Sequence, residues 1–321
     1  MNKSPHLRFE NTSTGWVKYF IKTMKLLITG GTGLLGRRLT QLLQKRGHEV
    51  AILSRNPRPG SAIPQFRWDM ETGWIDPEAY TYAEGIIHLA GEGIADQRWT
   101  DDQKQRIINS RVQPIQWLAY DLSTLGITPK VFVSASAIGL YGGDRGEELL
   151  DESSAYGDDF LATCTHMWET AANDLNAHRK VHVRVGIVLA TQGGALPKMA
   201  LPVKYGVGAS LGSGKQWMSW IHLDDVCQFF IEAIENSSWQ GPYNAVAPNP
   251  VRHRDFLQVL AQTLKKPVWL PAIPSFLLRL ALGEMAIVVT GSARVQSRHP
   301  ETINWQFPTL DKALTNLYPT S

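Results

Sequence analysis

Residues 25–29 form a short apolar run that breaks into Gly30, Gly31, Thr32, Gly33, Leu34, Leu35 and Gly36 and then gives way to a three-to-four-residue rhythm. Leu39, Leu42 and Leu43 share one helical face, Arg37, Arg38, Gln41, Gln44 and Lys45 take the other, and Gly47 supplies a stop. A second apolar strand at 50–53 completes a βαβ unit. The alternation continues with a short strand at 66–68, a fully apolar strand at 85–90, and a helix opened by the capping box Thr100-Asp-Asp-Gln103. Pro114 is expected to kink or divide that helix. A strand at 131–134, a glycine-rich loop to Gly146, a helix over about 159–178 and one unbroken strand at 182–189 follow. Glycines and prolines then loosen the pattern over 193–214, which reads as a loop covering the crevice at the carboxyl ends of the strands. Helices at 224–236 and 254–265, a strand at 243–246 and a helical tail complete the chain. Strands alternating with helices predict an α/β protein built on a parallel sheet, its smaller lobe assembled from noncontiguous segments.

Composition narrows the class without naming a partner. At 321 residues, 43% hydrophobic and 19% charged, the chain can bury a full core and is neither disordered nor fibrous. A net charge of +3, with Lys and Arg scattered, leaves no electrostatic footprint for nucleic acid. Cys164 and Cys227 lie far apart without CxxC spacing, which argues against a disulfide framework or zinc site and suits a reducing cytoplasm. Both fall within apolar helical patterns and read as small buried hydrophobes. The nine histidines show no metal-ligand spacing. Residues 1–23 are polar and irregular up to the run 16–21, and read as a mobile extension ahead of Met24, a candidate natural start. No run reaches membrane length or has the layout of a signal peptide.

The chemistry starts at the glycines. After a strand, a tight turn without Cβ atoms lets a pyrophosphate approach the backbone, the last glycine lets helix pack on strand, and the helix dipole attracts the anion. Thr29 through Gly36 therefore read as a dinucleotide cradle; no Lys-Ser/Thr pair follows Gly36, which excludes a P-loop. At the end of the second strand, where a carboxylate would select NAD, stand Ser54 and Arg55. A guanidinium can fork onto a 2′-phosphate and a hydroxyl can donate to it, so the pair favours NADP(H), with Arg37 as a second candidate. The alternative is a solvated loop arginine.

With Leu89, Ala90 and Gly91 at the end of the fully apolar strand and Ser134-Ala-Ser136 after the next, the chain resembles the extended and atypical short-chain dehydrogenase/reductase superfamily. More narrowly it is similar to the epimerase-like family 39U. Gly91-Glu92-x-Ile94 with Arg98-Trp99, Ser110-Arg111, Asp159-Phe-Leu-Ala162 with Trp168-Glu169, Gly212-Ser-Gly-x-Gln216 leading to Trp220-Ile-His222 and Asp225, and Gly241-Pro-Tyr-Asn244 with Pro248 carry the likeness from about Met24 onward. The resemblance implies a Rossmann-type doubly wound parallel sheet, NADP(H), and a smaller C-terminal substrate-side lobe. Residues 24–246 would form the NADP-binding domain, with 193–222 contributing to the lobe and 247–321 completing it. Leu89, Ala90 and Gly91 would pass under the adenine-side ribose. Ser110 and Arg111 either approach the cofactor from the following helix or form an ordinary polar helix face.

Superfamily catalysis uses a Ser or Thr with a Tyr-x-x-x-Lys pair, whose lysine lowers the tyrosine pKa so that the phenol exchanges a proton near neutrality. Ser136 matches the serine, but the helix at 159–166 holds neither Tyr nor Lys. Tyr156 is followed four residues on by Phe160; Tyr141 has Arg145 at that spacing, in a glycine loop. Ser136 and Tyr141 stand as the catalytic candidates. Glu92 and Arg98 read as pocket residues or a loop-fixing ion pair, Asp224 and Asp225 as helix caps or substrate contacts beside His222, and Trp99, Trp217 and Trp220 as pocket lining or interface filler. The reading is an NADP(H)-binding, epimerase-like oxidoreductase acting on a small polar carbonyl or alcohol in the cytoplasm, with no metal, nucleic-acid or membrane partner and a homodimer as a candidate assembly. The rival is a protein that binds NADPH without turnover, as a regulator or redox-responsive scaffold.

Overall fold

Strands apolar along their whole length bury both faces only when the sheet is parallel and covered by helices on each side. The computed structural model, which describes residues 6–12, 15–21 and 23–319, has that arrangement. An antiparallel pair, β1 (His6–Thr12) and β2 (Gly15–Ile21), comes first, where the sequence suggested an irregular extension. Then come β3 (Lys25–Thr29), α1 (Leu34–Lys45), β4 (Glu49–Ser54), β5 (Gln65–Arg67), α2 (Glu78–Tyr82), β6 (Gly85–His88), α3 (Asp101–Thr124) and β7 (Val131–Ala137). A 3-10 turn at Ile138–Tyr141 leads to β8 (Asp144–Leu150), α4 (Phe160–Asp174), β9 (Lys180–Val185), β10 (Ile187–Leu189), α5 (Ala195–Lys204), β11 (Trp217–Met218), β12 (Trp220–His222), α6 (Leu223–Glu235) and β13 (Gly241–Ala245). The tail carries β14 (Val251–Arg252), α7 (His253–Thr263), α8 (Ser275–Leu282), α9 (Ile287–Thr290), β15 (Ser292–Val295) and α10 (Leu310–Leu317).

Seven strands form one parallel sheet in the order β13-β9-β7-β6-β3-β4-β5. Successive strands run outward from β3 to β5 on one side and from β6 to β13 on the other. The switch point therefore lies between β3 and β6, where an open α/β sheet leaves its ligand crevice. Leu26, Leu27, Ile28, Ile86, Ile87, Phe132 and Val133 are fully buried at this centre. Arg38 on α1 forks onto Asp224 on α6 at 2.6 and 2.9 Å, tying together two helices that cover one face. A second core gathers Leu189, Leu196, Trp220, Phe256, Leu260 and Leu314, residues far apart in sequence.

Local expectations fail where tertiary contacts intervene. Pro114 does not divide α3: its ring is buried, and that burial offsets the backbone bond a proline cannot make. Thr100 Oγ1 accepts from Gln103 N at 3.2 Å, but the Gln103 amide donates to Glu92 at 2.9 Å rather than closing the capping box. The expected strand at 182–189 breaks at Gly186, where a Cβ would lie 2.6 Å from the Ser219 carbonyl oxygen. β9 stays in the central sheet, while β10 pairs with β12. The expected loop at 193–214 contains α5, whose Pro197 sits in the first turn, where no backbone N–H is required. Among the described residues, no helix is long and apolar enough to cross a membrane.

Candidate functional site

The four glycines of the turn divide their work. Gly30 has φ +69°, and a Cβ there would meet the Leu89 carbonyl carbon at 2.8 Å and the Ala90 nitrogen at 2.9 Å. A Cβ on Gly36 would lie 2.3 Å from the Gly30 oxygen, so this glycine lets α1 rest on the turn. A Cβ on Gly31 would meet the Ile52 side chain at 2.7 Å, whereas one on Gly33 would meet only the Gly30 oxygen, at 3.2 Å. Gly33 is also the N-cap of α1; the cap has no side-chain bond and the first turn no acid. The N–H groups of Leu34 and Leu35 thus face an anion site with no protein carboxylate competing for it.

A second uncapped helix start stands beside the first. Gly194, with φ +77°, caps α5, and a Cβ on it would lie 3.7 Å from the Leu34 side chain. Two helix N-termini meet at the mouth of the turn, a feature the prolines of 193–214 hid from sequence reading. Arg37, the second candidate for the 2′-phosphate, folds back to donate one N–H to the Thr32 carbonyl at 2.7 Å. Arg55, beyond the end of β4, is exposed and has no hydrogen bond or ion pair among the described residues. Ser54 Oγ beside it accepts from Asn56 N at 3.3 Å. A backbone cradle that a methyl group would fill, an uncapped helix start and a free guanidinium fit the pyrophosphate and 2′-phosphate of NADP(H).

The loop after β6 is held from two sides. Thr29 Oγ1 accepts from the N–H groups of Leu89 and Ala90, each at 3.2 Å. Ser110 Oγ accepts from Glu92 N at 2.9 Å, and Arg111 donates to the Glu92 carbonyl at 2.8 Å while lying over the Trp168 ring. A Cβ on Gly91 would come within 3.2 Å of the Arg111 guanidinium carbon. Ser110 and Arg111 are therefore spent on the loop, and act on anything bound there by positioning Leu89, Ala90 and Gly91.

With its lone pairs taken by Leu89 and Ala90, the Thr29 hydroxyl donates to His88 Nδ1 at 2.9 Å, which assigns His88 the Nε2–H tautomer. Burial, aided by the nearby Arg111 charge, pushes the His88 pKa down to about 3. An unfolded histidine takes up a proton near pH 6.5 and the folded one does not, so this contribution is whole above that pH and is lost as pH falls toward 3. The slope is up to about 1.4 kcal/mol per pH unit for one group. Burial lowers His182, His222 and His253 as well, with the same sign. Urea unfolding followed from pH 7 to 4.5 is expected to give a shallower pH slope for His88→Asn than for the parent, whatever the variant's starting stability; parallel slopes would show that His88 protonates in the folded state.

The two catalytic candidates are buried and hydrogen-bonded to protein groups. Ser136 is buried and donates to Glu169 at 2.6 Å. Glu169 receives a fork from Arg184 at 2.8 and 2.9 Å, and Arg184, 2% exposed, also donates to the Tyr141 hydroxyl at 2.9 Å. Tyr141 is 0% exposed and its hydroxyl donates to Asn244 Oδ1 at 2.8 Å. Burial pushes its pKa up to about 12 against the pull of Arg184 and Asn244, far from what proton exchange at neutrality requires. Burial also opposes ionisation of Glu169, but the Arg184 bonds and charge outweigh it and hold the carboxyl below its ordinary range. Arg145 reaches the Tyr141 carbonyl, not its ring. Ser136 and Tyr141 belong to a buried charge network joining β7, α4, β9 and β13, and both hydroxyls are engaged within it.

A pocket of about 470 Å³ opens between the loop after β6, the start of α4 and the segment around α8 and α9. Trp99 and Phe160 form one wall, their rings 4.8 Å apart and inclined at 64°. Trp99 is locked by its Nε1 donating to the Ile94 carbonyl at 2.8 Å. Both oxygens of Asp159 are used, one by Ala162 N at 2.9 Å and one by Gly143 N at 2.6 Å, and Glu284 pairs with Lys104. Glu92 does not pair with Arg98 but accepts from Gln103. Trp217 is flanked by Arg252 and Arg294, and Trp220 is buried in the second core; neither lines this pocket. His222, rather than an aspartate, caps α6 through Nδ1, while Asp225 accepts from the N–H groups of Gln306 and Phe307. Among the described residues no cluster of three metal-ligating side chains occurs.

A doubly wound parallel sheet with a glycine cradle at its switch point defines a Rossmann-type dinucleotide-binding protein. The chain belongs to the NAD dependent epimerase/dehydratase family, whose model matches residues 26–245; a domain of unknown function, DUF1731, matches 273–317. It is similar to the epimerase family protein YfhF of Bacillus subtilis, with 36% identity over 288 residues, 88% of this chain and 94% of that one. It is likewise similar to the chloroplastic SDR39U1 homologue of Arabidopsis thaliana, with 36% identity over 88% of this chain and 83% of that one. Human SDR39U1 (isoform 2), solved with NADPH, shares 32% identity and superposes with a TM-score of 0.83, covering 92% of this chain and 99% of that one. The epimerase-like family 39U read from the motifs is thus the family found.

Proposed function

We propose that this chain is an NADP(H)-dependent oxidoreductase that acts on a small polar carbonyl or alcohol held in the pocket walled by Trp99 and Phe160. The observation that carries the reading is the meeting of the α1 and α5 N-termini over a methyl-free turn at the switch point, one loop away from a pocket of substrate size. NADPH, when bound, supplies hydride to a carbonyl carbon. The backbone of residues 30–36 holds its pyrophosphate, Arg55 its 2′-phosphate, and Leu89, Ala90 and Gly91 its ribose, with Ser110 and Arg111 steadying that loop. With Ser136 and Tyr141 hydrogen-bonded within the buried network and both Asp159 oxygens held by backbone N–H groups, none of these three side chains presents a free proton donor to the pocket. Both buried, unpaired cysteines suit a reducing cytoplasm.

Arg55→Ala is expected to weaken NADPH binding by about 10- to 100-fold, as removal of a charge-assisted fork does, and to leave NADH binding nearly unchanged. Titration of reduced-cofactor fluorescence reads both; equal losses would place the 2′-phosphate elsewhere. The activity itself is tested by following NADPH consumption across a panel of small carbonyl compounds while cofactor affinity is titrated in parallel. The engagement of both candidate hydroxyls in a buried network favours a second reading, an NADPH-binding regulator without turnover. Tight binding with no consumption across the panel would decide for it.

A further inference from the structure

We infer that the pocket beside the cradle takes an anionic small molecule, one bearing a carboxylate or phosphate that docks between Arg98 and Arg279. The inference rests on reading this pocket as the substrate site and goes further by naming the charge of what enters it. The ionisable groups around the pocket can be accounted for one by one. Asp159 gives both oxygens to backbone N–H groups, and Glu284 is matched by Lys104. Two guanidinium groups remain. Arg279 lines the pocket, and Arg98 Nη2 lies 3.3 Å from where a Cβ on Gly283, another wall residue, would stand. Neither arginine side chain has a hydrogen bond, ion pair or ring contact among the described residues.

Their origin strengthens the case. Arg98 comes from the loop after β6, and Arg279 from α8, a helix that buries none of its own side chains and carries one charged residue. That one charge faces the pocket. One charge on the wall of the opening and a second beside its Gly283 rim both attract an anion that enters there. Each guanidinium offers a planar fork that matches a carboxylate or phosphate edge. Trp99, Phe160, Ala286 and Ile287 supply apolar walls that displace water and weaken its screening of that attraction. The Arg98-Trp99 dipeptide thereby acquires a joint role, an anion anchor next to an aromatic wall.

The test uses protein saturated with NADPH, so that the cradle's own phosphate positions are filled, after NADPH affinity has been titrated on its own. Inorganic phosphate, acetate and uncharged glycerol are then titrated separately by calorimetry. Phosphate or acetate is expected to bind while glycerol is silent, and the stronger of the two tells which anion the anchor takes. Arg98→Gln and Arg279→Gln are each expected to weaken that binding about tenfold, and Arg279→Lys to weaken it less, with NADPH affinity unchanged in all three. Unchanged NADPH affinity also reports that the variants are folded, since both side chains are exposed. Anion binding that survives both glutamine variants, or no anion binding at all, would overturn the inference. Absence of NADPH binding would instead strike the functional reading, and acetate titrated into the cofactor-free protein would still interrogate the two arginines.

Discussion

Gly36→Ala is expected to abolish NADPH binding and to cost the fold about 3 kcal/mol or more, whereas Gly33→Ala is expected to cost about 1 kcal/mol or less and to weaken NADPH binding at least tenfold. The contrast comes from what each added methyl would meet. At Gly36 it would stand 2.3 Å from the Gly30 oxygen and 2.6 Å from the Gly31 Cα, both backbone atoms. α1 would have to lift off the turn, taking its buried face, Leu39 and Leu43, away from the sheet. At Gly33 the backbone is extended, φ −73° and ψ 178°, which alanine adopts freely, and its single close neighbour is the Gly30 oxygen at 3.2 Å. The methyl there occupies the open rim where a pyrophosphate would approach. Urea unfolding of the cofactor-free variants and calorimetric titration with NADPH separate the two effects. A stable Gly36→Ala protein that binds NADPH normally would contradict the packing described for the turn.

The second large effect is expected at Glu169. Glu169→Ala removes the partner of a guanidinium that is 2% exposed, and is expected to cost about 3–5 kcal/mol, the range for breaking a buried ion pair by removing one member. Replacing both, Glu169→Met with Arg184→Met, is expected to recover much of that loss, because no buried charge is then left alone. Tyr141→Phe sharpens the functional point. It deletes a hydroxyl that accepts from Arg184 and donates to Asn244, so its expected effect is a stability loss of about 1–3 kcal/mol with turnover of any substrate retained. Turnover lost at full stability would return Tyr141 to the chemistry.

The cradle was legible in the sequence because its constraints are short-range. Gly30, Gly33 and Gly36 meet atoms of the same βαβ unit and its next strand, and Arg55 sits at the end of β4 whatever the rest of the chain does. The surroundings of the catalytic candidates were not legible because they are not local. Ser136 faces Glu169, and Tyr141 faces Arg184 and Asn244, partners that only the register of β7, β9 and β13 brings together. One signal was available: a Glu within α4 and an Arg near the end of the strand 180–185, flanked by Val183 and Val185, are both costly to bury alone, and so announce a pair. α5 escaped because glycines flank it on both sides and two prolines interrupt it, although a first-turn proline does not oppose a helix.

By itself the sequence determined the alternation of strands and helices, the parallel sheet it implies and the tight glycine turn after β3. Those depend on backbone sterics and on apolar periods that each segment carries alone. Only the tertiary structure decided that Ser136 and Tyr141 are buried in an ion-pair network, that a second helix start meets the first over the turn, and that Arg98 approaches Gly283 on the wall of the pocket that Arg279 lines. The reason is physical: a side chain's protonation, hydrogen bonding and access to solvent are set by whichever neighbours packing brings within a few ångströms, and here those neighbours lie tens to hundreds of residues away.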